Sequence, residues 1–172
     1  MKPRALALCG VLTALAAAIL CLGGMIPAAA LCAPLLAMAV LLPVLEELGA
    51  GAAGAVYAAV SILGLLLTPD RETALVYVFF GWYPILRPKI AALPSRLLRL
   101  AARLLACNAA IFLLYGLVLR LLGLTEDLLE AAWLFNAALL VMGNGVFLLA
   151  DAMFARLTNL WHRKLKKRLS RF

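Results

Sequence analysis

The sequence predicts an all-α membrane protein, a polytopic helix bundle of about six transmembrane helices with both termini in the cytoplasm. Of its 172 residues, 67% are hydrophobic and 14% are charged, whereas a soluble domain has roughly 45–50% apolar and about 25% charged residues. Since about 20 apolar residues cross one bilayer, a chain of this length accommodates about six crossings with short connections. Fourteen of its sixteen Lys and Arg residues fall on one side of such a bundle.

Six apolar segments are the predicted helices, at residues 5–23, 27–45, 50–68, 73–91, 97–122 and 131–156. Glycine, proline and acidic residues separate them, as is usual where helices end. Prolines also lie inside two of them, Pro34 and Pro43 in the second helix and Pro84 and Pro88 in the fourth. In membrane helices such prolines more often cause a kink than an end.

The first segment shares features with a secretory signal peptide. It has Lys2 and Arg4, then an apolar run, then small residues at 28–30. The apolar run from Ala5 to about Leu22 is longer than that of a typical signal peptide, and further spans follow it. We therefore expect it to be retained as the first transmembrane helix.

The distribution of Lys and Arg predicts the orientation, because cytoplasmic loops retain an excess of these residues. Two lie in the N-terminal segment, five between the fourth and fifth predicted helices, and seven in the C-terminal tail. Only Arg71 and Arg120 lie on the opposite side, beside acidic residues. Both termini are therefore predicted to be cytoplasmic, which requires an even number of spans, in a bacterial inner or plasma membrane.

Residues 1–156 form the predicted transmembrane domain, and residues 157–172 form a basic amphipathic tail. The apolar residues of the tail fall near one helical stripe: Leu157, Leu160, Trp161, Leu165, Leu169 and Phe172. Such a helix lies along the inner leaflet, held by apolar burial and by about 1 kcal/mol per basic residue from anionic lipid. Docking of a soluble partner is the alternative role for this tail.

The sequence lacks the residues that a membrane enzyme needs. Its only histidine, His162, lies in the tail, so no Ser-His pair can form within the bilayer. It contains no H-E-x-x-H motif, no P-loop and no cluster of metal ligands. The basic residues are confined to loops and tail, which does not indicate a nucleic-acid partner. We predict a non-enzymatic protein with no cofactor and no metal site, whose four cysteines are packing residues.

Small residues recur every four positions along the first helix, at Gly10, Ala14 and Ala18. Such a row lets two helix backbones approach closely in lipid. Packing within the bundle and docking of another membrane subunit both explain it.

Polar residues within the predicted helices are candidates for solute binding, because burying them in lipid is costly. The candidates are Tyr77, Asn108, Trp133, Asn136 and Asn144. Hydrogen bonding between helices is the alternative role for these side chains. Asp151 shares a face of the sixth helix with Asn144, two turns away. We expect Asp151 to form a salt bridge with Arg103, Arg156 or another basic residue of the inner side.

The chain resembles the substrate-binding subunits, or S components, of energy-coupling factor transporters. The resemblance is in its length, its six predicted spans, its predicted cytoplasmic ends and the small residues Ala14 and Ala18 of its first helix. The stretch 76–84, followed by Lys89, is also similar to uncharacterised six-helix membrane proteins of Gram-positive bacteria. The resemblance implies that Gly10, Ala14 and Ala18 contact a transmembrane coupling subunit. It also implies that helices four to six capture a small-molecule solute on the outer side, and that separate ATPase subunits drive toppling of the bundle.

A non-transporting scaffold is the alternative function. The MreD type of rod-shape determining protein is also small, multispanning and similar in plan. This alternative implies partners from cell-wall synthesis and no bound solute.

Overall fold

The computed structural model describes residues 3–26, 29, 31–122 and 133–161, with the backbone alone described at 115, 117–122, 133–136 and 139. The predicted all-α class is confirmed for these residues. Their helices are α1 (Pro3–Gly23), α2 (Cys32–Leu67), α3 (Arg71–Phe80), α4 (Tyr83–Ala91), α5 (Arg96–Leu122) and α6 (Trp133–Leu160). The chain divides into two compact units, a first of residues 1–88 with 154–172 and a second of residues 89–153.

Four of the described helices, α1, α2, α5 and α6, are long and apolar enough to cross a membrane. The bounds of α1 and α5 lie within two residues of the predicted 5–23 and 97–122. Helix α6 ends four residues later than predicted, at Leu160, so the start of the predicted tail continues this helix. The rest of the tail, from His162, lies outside the described residues.

Helix α2 contains one residue with a non-helical backbone, Gly49, at φ 83° and ψ 178°. This conformation is essentially restricted to glycine, because a Cβ would crowd the backbone. It separates a first half, residues 32–48, from a second half, residues 50–67. These halves correspond to the second and third predicted helices, although the first half begins at Cys32 rather than at residue 27. Pro43 lies inside the first half without interrupting it.

Contacts with α1 show that α2 folds back on itself at Gly49. Gly23 of α1 lies against Ala33 in the first half of α2, since a Cβ added at Gly23 would collide with the Ala33 Cβ. Leu20 of α1 lies against Gly64 in the second half, since a Cβ added at Gly64 would lie 3.1 Å from Leu20 Cδ1. In a straight helix Ala33 and Gly64 would be about 46 Å apart. Because Leu20 and Gly23 are one turn apart, both halves must pack against the same end of α1. Helix α1 and the two halves of α2 therefore form an antiparallel arrangement of three helical segments.

The prediction of one continuous helix over 73–91 was wrong. Helix α3 ends at Phe80 and α4 begins at Tyr83. Pro84 explains the interruption, because it has no N–H and its ring would clash with the carbonyl of Phe80 in a continued helix. With 10 and 9 residues, neither α3 nor α4 reaches the roughly 20 residues of a full crossing.

Asp70 begins α3 as its N-cap. Its carboxylate accepts hydrogen bonds from the backbone N–H of Glu72 at 3.0 Å and of Thr73 at 3.2 Å, and from the Thr73 hydroxyl at 2.6 Å. The bond from the Thr73 hydroxyl is the largest cause of a lowered pKa at Asp70. The cap lies close to the end of α1, since a Cβ added at Gly24 would lie 3.3 Å from the backbone nitrogen of Asp70. Gly24, just after α1, and Asp70, at the start of α3, therefore lie at the same end of the first unit.

The reversal at Gly49 leads to a prediction about backbone strain. Gly49→Ala is expected to lower the free energy of unfolding by about 1–3 kcal/mol, because alanine would have to adopt a conformation that L-residues avoid. Equilibrium unfolding in mixed detergent micelles, followed by circular dichroism, measures this change. Gly51→Ala is the matched control, since Gly51 is exposed, helical and has open space around it. It should stabilise by up to about 1 kcal/mol, and equal effects of the two substitutions would contradict the argument.

Candidate functional site

Two polar contacts join α5 and α6 in the second unit. The Asn144 side-chain amide donates to Asn108 Oδ1 at 2.9 Å, and Arg103 Nη1 donates to Asp151 Oδ2 at 3.0 Å. The higher residue number on α5 pairs with the lower number on α6, so the two helices run antiparallel. We call these four residues, Arg103, Asn108, Asn144 and Asp151, the polar seam.

The predicted salt bridge of Asp151 is confirmed, with Arg103 as its partner. The Asp151 side chain is 5% exposed and that of Arg103 is 27% exposed. A carboxylate so deeply buried among apolar helices would be unstable without a nearby positive charge. The pair places one charge of each sign in the seam, which therefore contributes no net charge to this part of the unit.

The polar seam also carries hydrogen-bonding capacity that the described residues do not use. Arg103 Nε and Asn144 Oδ1 are buried and have no partner among the described residues. The Asn144 amide group is held in place by a second bond, at 2.8 Å, to the Leu140 carbonyl. These two atoms, one donor and one acceptor, can each make a further hydrogen bond that the described residues do not supply.

Asn108 and Asn144 are the two predicted binding residues that the structure brings together. Tyr77 lies in the first unit, fully buried, and its hydroxyl has no hydrogen-bond partner among the described residues. Trp133 and Asn136 lie in the first turn of α6, and their side chains are outside the described residues. The binding role of these five residues stays a prediction.

Tyr57 is a residue that the sequence analysis missed. Its ring lies 5.9 Å from that of Tyr77, centroid to centroid, and its hydroxyl donates to the backbone carbonyl of Val78. That carbonyl is one of the last four of α3, which have no partner within their own helix. The signal that could have found Tyr57 is Pro84, because a proline-induced helix end in lipid requires donors from other elements.

The row Gly10, Ala14 and Ala18 lies on the exposed side of α1. A Cβ added at Gly10 would meet no atom within 4 Å. The buried residues of α1 lie on another face: Ala16, Ala17, Leu20 and Gly23. The row is therefore not part of the packed face of α1 in the first unit, and both explanations for it stay predictions.

Comparisons with protein-family models, with curated proteins and with solved structures found no match for this chain. Among the described residues there is also no group of three or more His, Cys, Asp or Glu side chains that could hold a metal ion. The functional assignment consequently depends on the exposed row of α1 and on the polar seam.

The ion pair of the polar seam can be tested by removing one charge or both. Asp151→Asn is expected to lower the free energy of unfolding by about 3 kcal/mol, because Arg103, whose side chain is 27% exposed, would keep its charge without its partner. The double variant Arg103→Met with Asp151→Leu should recover most of this loss, since both charges are removed. Equilibrium unfolding in mixed micelles measures both variants.

Glu72→Gln is the control for this experiment, because Glu72 is an exposed carboxylate. It should change the free energy of unfolding by less than about 1 kcal/mol. If Asp151→Asn had no larger effect than Glu72→Gln, the ion pair would have no stabilising role.

Proposed function

We propose that this protein is the membrane-embedded substrate-binding subunit of an importer of the energy-coupling factor type. The observation that carries the proposal is the position of Gly10, Ala14 and Ala18 on the exposed side of α1. In lipid, a row of small residues has little to gain from facing acyl chains, whereas it permits close contact with another transmembrane helix. The chain therefore docks a second membrane protein through α1 and keeps the opposite face of α1 for its own core.

Six membrane crossings follow from the proposal. The two halves of α2, with 17 and 18 residues, are each about 26 Å long, close to the hydrocarbon thickness of about 30 Å. Helices α3 and α4 together form one discontinuous crossing, and α1, α5 and α6 supply the remaining three. With this arrangement both termini are cytoplasmic, in agreement with the distribution of basic residues.

Solute binding is assigned to the polar seam, which lies within the second unit. Arg103 Nε offers a donor and Asn144 Oδ1 offers an acceptor. Because Arg103 and Asp151 already compensate each other, a solute without net charge suits the seam better than an ion.

Affinity purification from the native host in mild detergent, followed by mass spectrometry, tests this function. We expect a transmembrane coupling subunit, its ATPases and a bound small molecule to be recovered. Recovery of cell-wall synthesis or shape proteins, without ATPases or solute, would instead support the MreD-type scaffold.

The docking face can be tested in the same purification. Ala14→Leu with Ala18→Leu should reduce recovery of the membrane partner at least tenfold, because the added side chains prevent close approach of the partner helix. Ala55→Leu is the control, since it makes the same change at an exposed position of α2 outside the row. Unchanged recovery in the double variant, or an equal loss in the control, would remove α1 as the docking face.

Cysteine labelling in intact cells tests the proposed topology. Single cysteines introduced at Arg4 and at Ser170, in a variant whose four native cysteines are replaced by alanine, should react only after the membrane is permeabilised. A cysteine at Arg71 should react without permeabilisation. Labelling of Ser170→Cys but not of Arg4→Cys in intact cells would contradict an even number of crossings, and labelling of both would contradict the cytoplasmic position of the termini.

A further inference from the structure

Three arginines lie along one face of the first two turns of α5. Arg96, Arg99 and Arg103 are three and four residues apart, which places them within an arc of about 60° around the helix. Arg96 is exposed, Arg99 is half-buried, and Arg103 lies deepest, about 10 Å along the helix from Arg96. We call this set the arginine stripe.

Only the deepest member of the arginine stripe has a negative partner among the described residues. Arg103 pairs with Asp151, whereas Arg99 Nη1 donates to the backbone carbonyl of Leu93 at 3.3 Å. The sequence contains no Asp or Glu between residues 73 and 125. Two guanidinium groups at the start of α5 therefore have no counter-charge among the described residues, and the positive end of the helix dipole adds to their charge.

The other faces of these turns of α5 are apolar and exposed, and Leu100, about 40° around the helix from Arg96, lies nearest to the arginine stripe. Leu97 is 77% exposed, Leu98 52% and Leu100 43%. A partner that fits this surface has a negative group for the arginines and a hydrocarbon portion for the leucines. An acidic peptide or a free phosphate ion satisfies the first requirement and leaves the leucines uncovered.

We propose that the arginine stripe binds the headgroup phosphate of an anionic phospholipid in the cytoplasmic leaflet. The planar guanidinium groups of Arg96 and Arg99 donate paired hydrogen bonds to the phosphate oxygens. An acyl chain of this lipid lies along Leu100, the exposed leucine nearest to the stripe. The proposal rests on the cytoplasmic position of the start of α5, and it does not require a protein partner.

Native mass spectrometry of the purified full-length protein in a neutral detergent tests this site. The probes are phosphatidylglycerol and phosphatidylcholine, which differ in headgroup charge, each added at increasing concentration. We expect the wild type to bind phosphatidylglycerol in preference to phosphatidylcholine. Arg96→Gln with Arg99→Gln should weaken phosphatidylglycerol binding roughly 30-fold, about fivefold for each arginine removed.

Arg71→Gln is the matched control, because Arg71 is an exposed arginine at the start of α3, on the side opposite to the arginine stripe in the proposed topology. It should retain the preference for phosphatidylglycerol. The proposal is overturned if the double variant keeps the wild-type preference or if Arg71→Gln loses it equally. The single variants Arg96→Gln and Arg99→Gln, each with a fivefold loss expected, serve if the double variant does not fold. Since the experiment uses the isolated protein, its result is independent of the recovery of a coupling subunit.

Discussion

The constraint that governs this molecule is the need to satisfy backbone polar groups where no water is available. In an apolar chain of this kind, N–H and C=O groups are satisfied most simply within continuous helices. The places where a helix is interrupted therefore determine the fold. Among the described residues, two such places are Gly49 and the turn at Gly81–Trp82. At the first the chain reverses direction, and at the second the predicted helix 73–91 is divided into two short helices.

The two interruptions are stabilised in different ways. Gly49 needs only its lack of a side chain, since its conformation is open to glycine and strained for other residues. The turn at Gly81–Trp82 leaves carbonyl groups of α3 without helical partners, and the Tyr57 hydroxyl supplies a donor to that of Val78. Gly81 also makes room for this tyrosine, because a Cβ at Gly81 would lie 2.9 Å from Tyr57 Cε2. A glycine and a distant tyrosine thus act together at the end of α3.

The sequence was sufficient to predict the helices that are uninterrupted, because length and apolar composition decide them. Helices α1 and α5 ended within two residues of their predicted bounds. It was also sufficient to predict that Asp151 needs a basic partner, since an isolated buried carboxylate is unstable. The division at Phe80 was missed because a membrane helix often continues past a proline. Whether it does depends on donors from other elements, such as Tyr57, and spacing along the chain does not reveal those.

The face of α1 that packs against α2 also could not be predicted from the sequence. Alanine and glycine are so frequent in this chain that several rows of small residues occur, and each satisfies the same spacing. What distinguishes them is the position of larger neighbours in space: Leu20 lies against Gly64 in the second half of α2, which turns the Ala16 and Leu20 face inward. The row at Gly10, Ala14 and Ala18 is left outside as a consequence.

The partner of each arginine of α5 depends on how far along the helix the arginine lies. Arg103, about two turns into the helix, is neutralised within the chain by Asp151, because a deeply placed charge has no solvent or headgroup within reach. Arg96 and Arg99 lie nearer the start of the helix and have no acidic partner among the described residues. At that depth an arginine can extend toward the membrane surface and use the lipid phosphate as its counter-charge. In the lipid site that we propose, the counter-charge changes from protein to lipid between Arg103 and Arg99, within one turn of α5.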